Sequence, residues 1–506
     1  MSGSGLEITL ADEVHMPKKP PSHPTPKSTT KSPTSTSTSR VDAQRAKLID
    51  DLVRQVSEEV KGRLGPNPTF EQESDAAFEI MREVLRRRES ERLKESVTDA
   101  DEVEIDGKTY RKMRQASSAT YVGRFGSHRV EEPLYREVGV RNGPTIKPVE
   151  RRVGIVDGML PDFARVCGEL SADQSSRELF RTLRAVGHVP PSRAFLADHM
   201  TSLSDGVAGI AGELNTAARA RCSPPVGVAS VSCGLDRMSV RMSEVVDGAP
   251  CTRDEPYERS APPQMEHHYR KAWVGSVTTY DATGEALSTW RTAVEATANP
   301  DELADRVAAE VAWVLDDNPG VPVHCIQDAA PELEVLPSLL HTTVPSSGAL
   351  VELVDFEHLA GYLDAVVAAV DPADKNDMRR WYRATLLIDD DGVDRIQRSL
   401  RRQAANLPRE ATEARKAVAA ALSYIRPRKA KMRYASYYRE NLPIGSGATE
   451  STCWQMQQRV KLPGQSWKCE GLRGVLAVRS LVLSDRWPAA WDHYAARFRG
   501  EVAICA

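Results

Sequence analysis

Three carboxylates stand where short apolar runs give out. They are Asp236 in Cys233-Gly-Leu-Asp-Arg-Met-Ser, Asp328 in Val323-His-Cys-Ile-Gln-Asp-Ala-Ala, and Glu450 in Leu442-Pro-Ile-Gly-Ser-Gly-Ala-Thr-Glu. Carboxylate oxygens are the ligands that hard divalent cations such as Mg²⁺ prefer, with water filling the remaining positions. Two such ions about 3.5–4 Å apart activate a nucleophile and stabilise the leaving oxygen of a phosphodiester, which requires acids from distant parts of a chain to converge. Taken singly, each acid has a plainer use. Asp236 suits a local pair with Arg237, Asp328 the N-cap of a helix near Pro331, and Glu450 the electropositive start of a helix capped at Gly447. Only a scaffold that brings the three together favours the chemical reading.

The pattern of elements around them supplies such a scaffold. Val226–Val240, Trp273–Tyr280 and Ala286–Val294 read as strands, the last two joined by the turn Asp281-Ala-Thr-Gly284. A helix follows over Pro300–Leu315, with Leu303, Val307, Val311 and Val314 on one face. Then come a buried strand at Val321–Ile326, a short helix near Pro331–Leu340, a strand at Leu350–Val354 and a helix at Phe356–Val370. This order is that of an α/β, ribonuclease-H-like core. It runs over 223–372 and resumes in C-terminal helices at 441–506, interrupted by a basic helical insertion at 373–440.

Upstream, the composition changes several times. Residues 1–42 are dominated by Lys, Pro, Ser and Thr, too polar to offset the entropy of ordering, and read as a disordered tail. A helical segment spans 43–100, its apolar stripe including Leu48, Ile49, Leu52 and Val53; it reads as a solvated helix pair, serving self-association or simply leading into the core. A small β module occupies 101–150, opened by a hairpin with an Asp106-Gly107 turn. Residues 151–222 return to helix. Ser176–Val186 and Pro190–Ser204, separated by Gly187, fit either a plain helical pair or a DNA-reading helix-turn-helix.

Charge marks the insertion. Pro300–Met378 holds sixteen acidic and two basic residues, whereas Arg395–Arg439 holds thirteen basic and two acidic, so a net charge of −4 hides two opposed fields. The basic stretch carries Arg398, Arg401, Arg402, Arg426, Arg428, Lys429, Lys431 and Arg433, interleaved with Tyr424, Tyr434, Tyr437 and Tyr438. Cationic side chains neutralise phosphates and tyrosines stack on unpaired bases, so the segment is expected to bind DNA; a solvated charged face is its plainer reading. The eight cysteines form no close pairs of the kind a zinc site uses. His267 and His268 are adjacent and face different ways, and no phosphate-binding G-x-x-x-x-G-K-[ST] motif occurs. No run of eighteen apolar residues exists, and the start lacks a charged segment followed by an apolar one, so neither a membrane span nor a secretory signal is expected.

The segment Leu442–Trp491 resembles the C-terminal signature of bacterial insertion-sequence transposases of the DDE class, most closely the ISKra group. The matching parts are Pro443-Ile-Gly-Ser-Gly447, Glu450, Cys453, Arg459-Val-Lys461, Trp467, Ala477-Val-Arg-Ser-Leu481 and Trp487–Trp491. The resemblance implies that Asp236, Asp328 and Glu450 are the catalytic and metal-binding triad, holding two Mg²⁺ or Mn²⁺ ions. Asp355-Phe-Glu-His358 is similar to an Asp-x-x-His block of such families, which adds His358 as a candidate for positioning the scissile phosphate; pairing with its own Asp355 is the plainer role. Arg459 and Lys461 join the expected DNA contacts.

The implied activity is metal-dependent cleavage of double-stranded DNA at element ends and joining to target DNA. The implied setting is a homo-oligomer in the cytoplasm, associated with the nucleoid and not with a membrane. Two alternatives stay open: a nuclease of the same fold that cuts without joining, and a domesticated DNA-binding protein without turnover. The chain departs from the family where Arg237 and Ala329 stand in place of the glycines that commonly follow the two aspartates, and it lacks the cysteine pairs often found in the β module.

Overall fold

The structure, a computed structural model, describes residues 38–245, 265–295, 297–345, 348–370 and 375–505. Most of the expected disordered tail therefore lies outside the described residues. The chain divides into two compact units, one ending at Met81 and the other beginning at Arg82. In the first, helix α1 (Thr38–Arg63) starts inside the stretch expected to be disordered. Its stripe of Leu48, Ile49, Leu52 and Val53 is exposed. Helix α2 (Phe70–Glu95) runs through the junction.

After the end of α2, the second unit continues with the small sheet. Strands β1 (Glu102–Ile105), β2 (Lys108–Gly123), β3 (Gly126–Glu137) and β4 (Thr145–Ile146) pair antiparallel in sequence order. The Asp106-Gly107 turn has positive φ at both residues, the backbone that a tight hairpin requires. Strand β2 is continuous over sixteen residues, its pairing register with β3 shifting between Lys112 and Ala116.

Helices α3 (Pro148–Val153), α4 (Pro161–Ser171), α5 (Ser176–Ala185), α6 (Arg193–Gly209) and α7 (Ala211–Arg221) follow. The second member of the suggested helix-turn-helix, α6, buries Leu196, His199, Leu203, Ser204 and Val207. Its exposed positions are Arg193, Ala194, Asp198, Thr201, Ser202 and Gly209. A face with one cation and one acid is poorly suited to tracking phosphates.

The larger sheet has the spatial order β7-β6-β5-β8-β9. Its strands are β5 (Ser230–Val245), β6 (Met265–Tyr280), β7 (Ala286–Val294), β8 (Val323–Gln327) and β9 (Leu350–Val354). The first three form an antiparallel meander, and β8 and β9 run parallel to β5. One face is covered by α8 (Pro300–Asp317) and α9 (Val335–Thr343), whose Leu303, Val307, Val311, Leu336 and Leu340 meet Val231, Cys233, Leu235 and Cys325. After Leu235 the buried positions of β5 change parity. Met238, Val240 and Met242 form the opposite core with Cys453 and Met456 of α15 (Gly447–Val460) and Leu472 and Leu476 of α16 (Cys469–Leu483). Because side chains alternate along a strand, Asp236 belongs with this second set and faces α15.

Between these halves lie α10 (Phe356–Val370), α11 (Lys375–Ile388), α12 (Gly392–Asn406), α13 (Thr412–Arg428) and α14 (Tyr434–Arg439). The basic helices are not a loose charged arm. Tyr382, Leu386, Ile396, Leu400, Val418 and Ile425 pack on Leu359, Leu363 and Val367 of α10. At the C-terminus α16 and α17 (Trp487–Ala496) share a core with α4–α7. Strand β10 (Val502–Ile504), absent from the sequence-based expectation, then returns to pair with β1. No described helix is long and apolar enough to cross a membrane.

Candidate active site

Backbone register brings the acids together. Cys233 pairs with Cys325 across β5 and β8, and Asp236 and Asp328 each lie three residues further on. Gln327 pairs with Val354 across β8 and β9, which puts Asp355 beside Asp328. The ladder continues to that point, since the Asp355 N–H donates to the Gln327 carbonyl at 2.8 Å. Neighbouring strands lie about 4.8 Å apart, so Asp355 adjoins Asp328 just past the ends of β9 and β8, while Asp236, inside the longer β5, stands close enough for the Asp328 charge to act on it.

Each acid is oriented differently. Asp236 is half-buried and accepts from the Arg237 N–H at 2.7 Å. The expected Asp236–Arg237 side-chain pair is not made; the Arg237 guanidinium pairs with Glu332, which also receives Lys271 at 3.3 Å. Burial pushes the Asp236 carboxyl above its ordinary range, and the negative charge of Asp328 adds to the shift. Asp328 accepts from the Ala330 N–H at 2.9 Å, so it caps its own turn rather than a helix. The turn is braced from outside: the Tyr424 hydroxyl donates to the Asp328 carbonyl at 3.0 Å, and Arg428, over the Tyr424 ring, donates to the Ala329 carbonyl at 3.3 Å. Ala329 itself has φ of 59°, a left-handed conformation that costs an L-residue with a Cβ.

Asp355 is 1% exposed and serves as a clamp. One oxygen accepts from the His358 N–H and the other from the Ser446 N–H, both at 2.7 Å. It thereby ties the start of α10 to the loop leading into α15. A buried hydroxyl pair, Ser276 with Thr449 at 2.7 Å, fixes α15 against β6. Added bulk at Gly234 would come within 2.4 Å of the Ile326 carbonyl and 3.0 Å of the Thr449 hydroxyl, so a glycine permits this approach.

Glu450 sits in the first turn of α15, whose N-cap is Ser446 rather than Gly447, and accepts from the Ser446 hydroxyl at 3.2 Å. Partial burial raises its carboxyl, with Asp355 and Asp236 contributing repulsion. Cys453, one turn along, lies against Asp236; burial and that carboxylate push its thiol up to about 12. Four acids therefore share one electrostatic environment. Among the described residues, no three His, Cys, Asp or Glu side chains are drawn tightly enough to enclose a metal ion as they stand. The His358 ring packs against Tyr362 and Tyr424, with centroids 5.6 and 5.5 Å away, and only its backbone engages Asp355.

The ten expected DNA contacts fall into distinct groups. Arg398, Arg401, Arg402, Arg426 and Arg433 are exposed, and their side chains form no ion pair among the described residues. Lys461 is exposed and donates to Gln457 at 3.1 Å. Lys429 is paired with Asp394 at 2.5 Å, and Lys431 with Glu352 at 2.8 Å and Glu334 at 3.1 Å. Arg428 is the turn brace already described. Arg459 requires a correction: it is 4% exposed, stacked on Trp467 and bonded to the Ser171 carbonyl. Burial and the neighbouring Arg479 lower it to about 10. Its guanidinium holds helices together and does not reach a surface where a phosphate would meet it. The sequence reading missed the brace of Tyr424 and Arg428 on the Asp328 turn; their signal was hidden in the basic, tyrosine-rich composition assigned to DNA.

No family model matches the chain, and no curated protein matches it.

Proposed function

We propose that this protein is a DDE transposase that cleaves DNA at insertion-sequence ends and joins them to target DNA. The observation that supports the reading is that Asp236 on β5 lies within electrostatic reach of both Asp328, past the end of the neighbouring β8, and Glu450, in the first turn of α15. The order β7-β6-β5-β8-β9, with a meander followed by two parallel strands, supports a ribonuclease-H-like core.

The donor set fits Mg²⁺ or Mn²⁺: it is all oxygen, with Asp236 and Asp328 half-buried and Glu450 exposed, and the repulsion felt at Asp236 and Glu450 is of the kind a cation relieves. Asp236, Asp328 and Glu450 would hold the two ions. When bound, such ions supply a more acidic water or 3′-hydroxyl and neutralise charge on the phosphoryl oxygens. The protein's own contribution is positioning. Asp236 and Asp328 are held by strand backbone, Glu450 by a helix pinned through Asp355 and Ser276, and exposed arginines of α12 and α13 hold the phosphates of double-stranded DNA.

The test uses a donor plasmid carrying the DNA that flanks the gene, a target plasmid, and Mg²⁺. A transposase yields end-joined product. Hydrolysed ends without joining would mean a nuclease. End binding without cleavage in either Mg²⁺ or Mn²⁺ would mean a DNA-binding protein that has lost turnover.

A further inference from the structure

Helix α15 exposes a single stripe. Thr449, Thr452, Cys453, Met456, Arg459 and Val460 are buried, while Glu450, Ser451, Trp454, Gln458 and Lys461 face outward. Trp454 is 62% exposed and is the one large apolar side chain on that stripe. It stands four residues after Glu450, one helical turn away, so the two side chains are neighbours on the same face at about 5–6 Å between their Cβ atoms. Lys461 lies a further two turns along the same stripe.

An indole left in water exposes a large apolar surface that folding normally covers. Tyr424 and Tyr434, which pack at the site, are used internally. Tyr424 stacks on Tyr362 at 4.3 Å and carries Arg428, and Tyr434 is buried with its hydroxyl on the Val354 carbonyl. Trp454 makes no ring contact among the described residues. The stripe thus presents a carboxylate, a flat aromatic face, an amide and a cation in sequence. A single nucleic-acid strand offers an open π-face for the indole, a base edge for the amide and phosphates for the lysine, and a phosphodiester comes to Glu450 through the cations of the proposed site, which separate the two anions.

We infer that Trp454 is a stacking platform for an unpaired nucleobase of a DNA strand whose phosphodiester lies at Glu450. The proposal rests on the DNA-processing reading of that site. It makes Trp454 a positioning residue, fixing a frayed or single-stranded end relative to the acids.

The experiment uses full-length protein in metal-free buffer and two generic duplexes. One is blunt; the other carries a four-nucleotide single-stranded overhang with 2-aminopurine in it. Wild-type protein should quench the 2-aminopurine and bind the overhang duplex more tightly. Trp454→Ala should weaken overhang binding about tenfold, leave blunt-duplex binding within twofold, and abolish the quench, while Trp454→Phe restores most of both. Equal effects on the two duplexes, or none on either, would overturn the stacking role. So would a Trp454→Ala protein that binds both DNAs normally but loses a self-association seen by sedimentation, since the indole would then cover another copy of the chain. Wild-type protein that binds neither duplex would defeat the DNA-processing reading itself, and the platform with it.

Discussion

Within β5 and just past the ends of β8 and β9, acids are placed by backbone register, whereas across α11–α14 the cations sit on long side chains that choose their partners. The sheet sets Asp355 beside Asp328, and Asp236 near Asp328, whatever their rotamers. The basic helices are uniform in composition but divided in role. Lys429 and Lys431 are held by Asp394, Glu334 and Glu352, and Arg428 is spent on bracing a turn, while Arg398, Arg401, Arg402, Arg426 and Arg433 stand free of ion pairs among the described residues. The opposed charge fields read from the sequence are therefore partly self-cancelling, since segment 375–439 neutralises some of the acids of the core on which it packs. What remains for a polyanion is a smaller set on α12, α13 and the turn that follows.

The largest effect that would break this contrast lies among the acids. Asp355→Ala removes the acceptor for two backbone N–H groups at once, each hydrogen bond to a charged group being worth about 1.5–3 kcal/mol. Urea unfolding should show a loss of about 3 kcal/mol or more, and cleavage should fall with it as α15 loosens. Asp355→Asn, which keeps one acceptor oxygen, should recover part of both. Unchanged stability in Asp355→Ala would mean that the clamp is not what holds the Ser446 loop.

A smaller effect separates free from satisfied cations. Replacing Arg398, Arg401 and Arg402 with Ala should weaken binding to all DNA sequences alike, each lost phosphate contact flattening the log–log salt slope by about 0.9. Lys429→Ala and Lys431→Ala should leave that slope where it is and lower stability slightly. If the lysines move the slope as much as the arginines do, the ion pairs seen here do not persist in the complex.

The smallest effect concerns Ala329. A left-handed residue with a Cβ costs about 1–2 kcal/mol, and glycine returns about 0.5–1 of that to the unfolded chain as entropy. Ala329→Gly should therefore stabilise the protein by about 0.5–1 kcal/mol in denaturant titration. A net loss would show that the Tyr424 and Arg428 brace depends on the alanine methyl.

The same contrast explains what could be read from the sequence. Strand positions were legible because Val226–Val240, Val321–Ile326 and Leu350–Val354 are short stretches rich in Val and other apolar residues, with Asp236, Asp328 and Asp355 inside or just after them, and register then follows from pairing. The Asp106-Gly107 hairpin was legible from turn chemistry alone. Strand β10 was not, because Val502–Ile504 finds its partner nearly four hundred residues upstream. The first part of β6 escaped notice because Glu266–Lys271 is polar and exposed, carrying no apolar alternation. The burial of Arg459 is not legible in the sequence, because it follows from packing on Trp467 and a bond to the Ser171 carbonyl, which no local pattern ties to it. The exposure of Trp454 is not legible in the sequence, because it is a property of the packed helix rather than of the residue.

The most direct test of the central claim is a double-mutant cycle on metal-dependent DNA cleavage. Asp236→Asn and Glu450→Gln each keep size while removing the charge a metal ligand needs, and folding and DNA binding in metal-free buffer should persist in both. If the acids act as one unit, each single substitution lowers cleavage in Mg²⁺ by orders of magnitude, and the double substitution adds little to either. A folded Glu450→Gln protein that cleaves at the wild-type rate, or a double variant whose loss is the product of the two single losses, would contradict it.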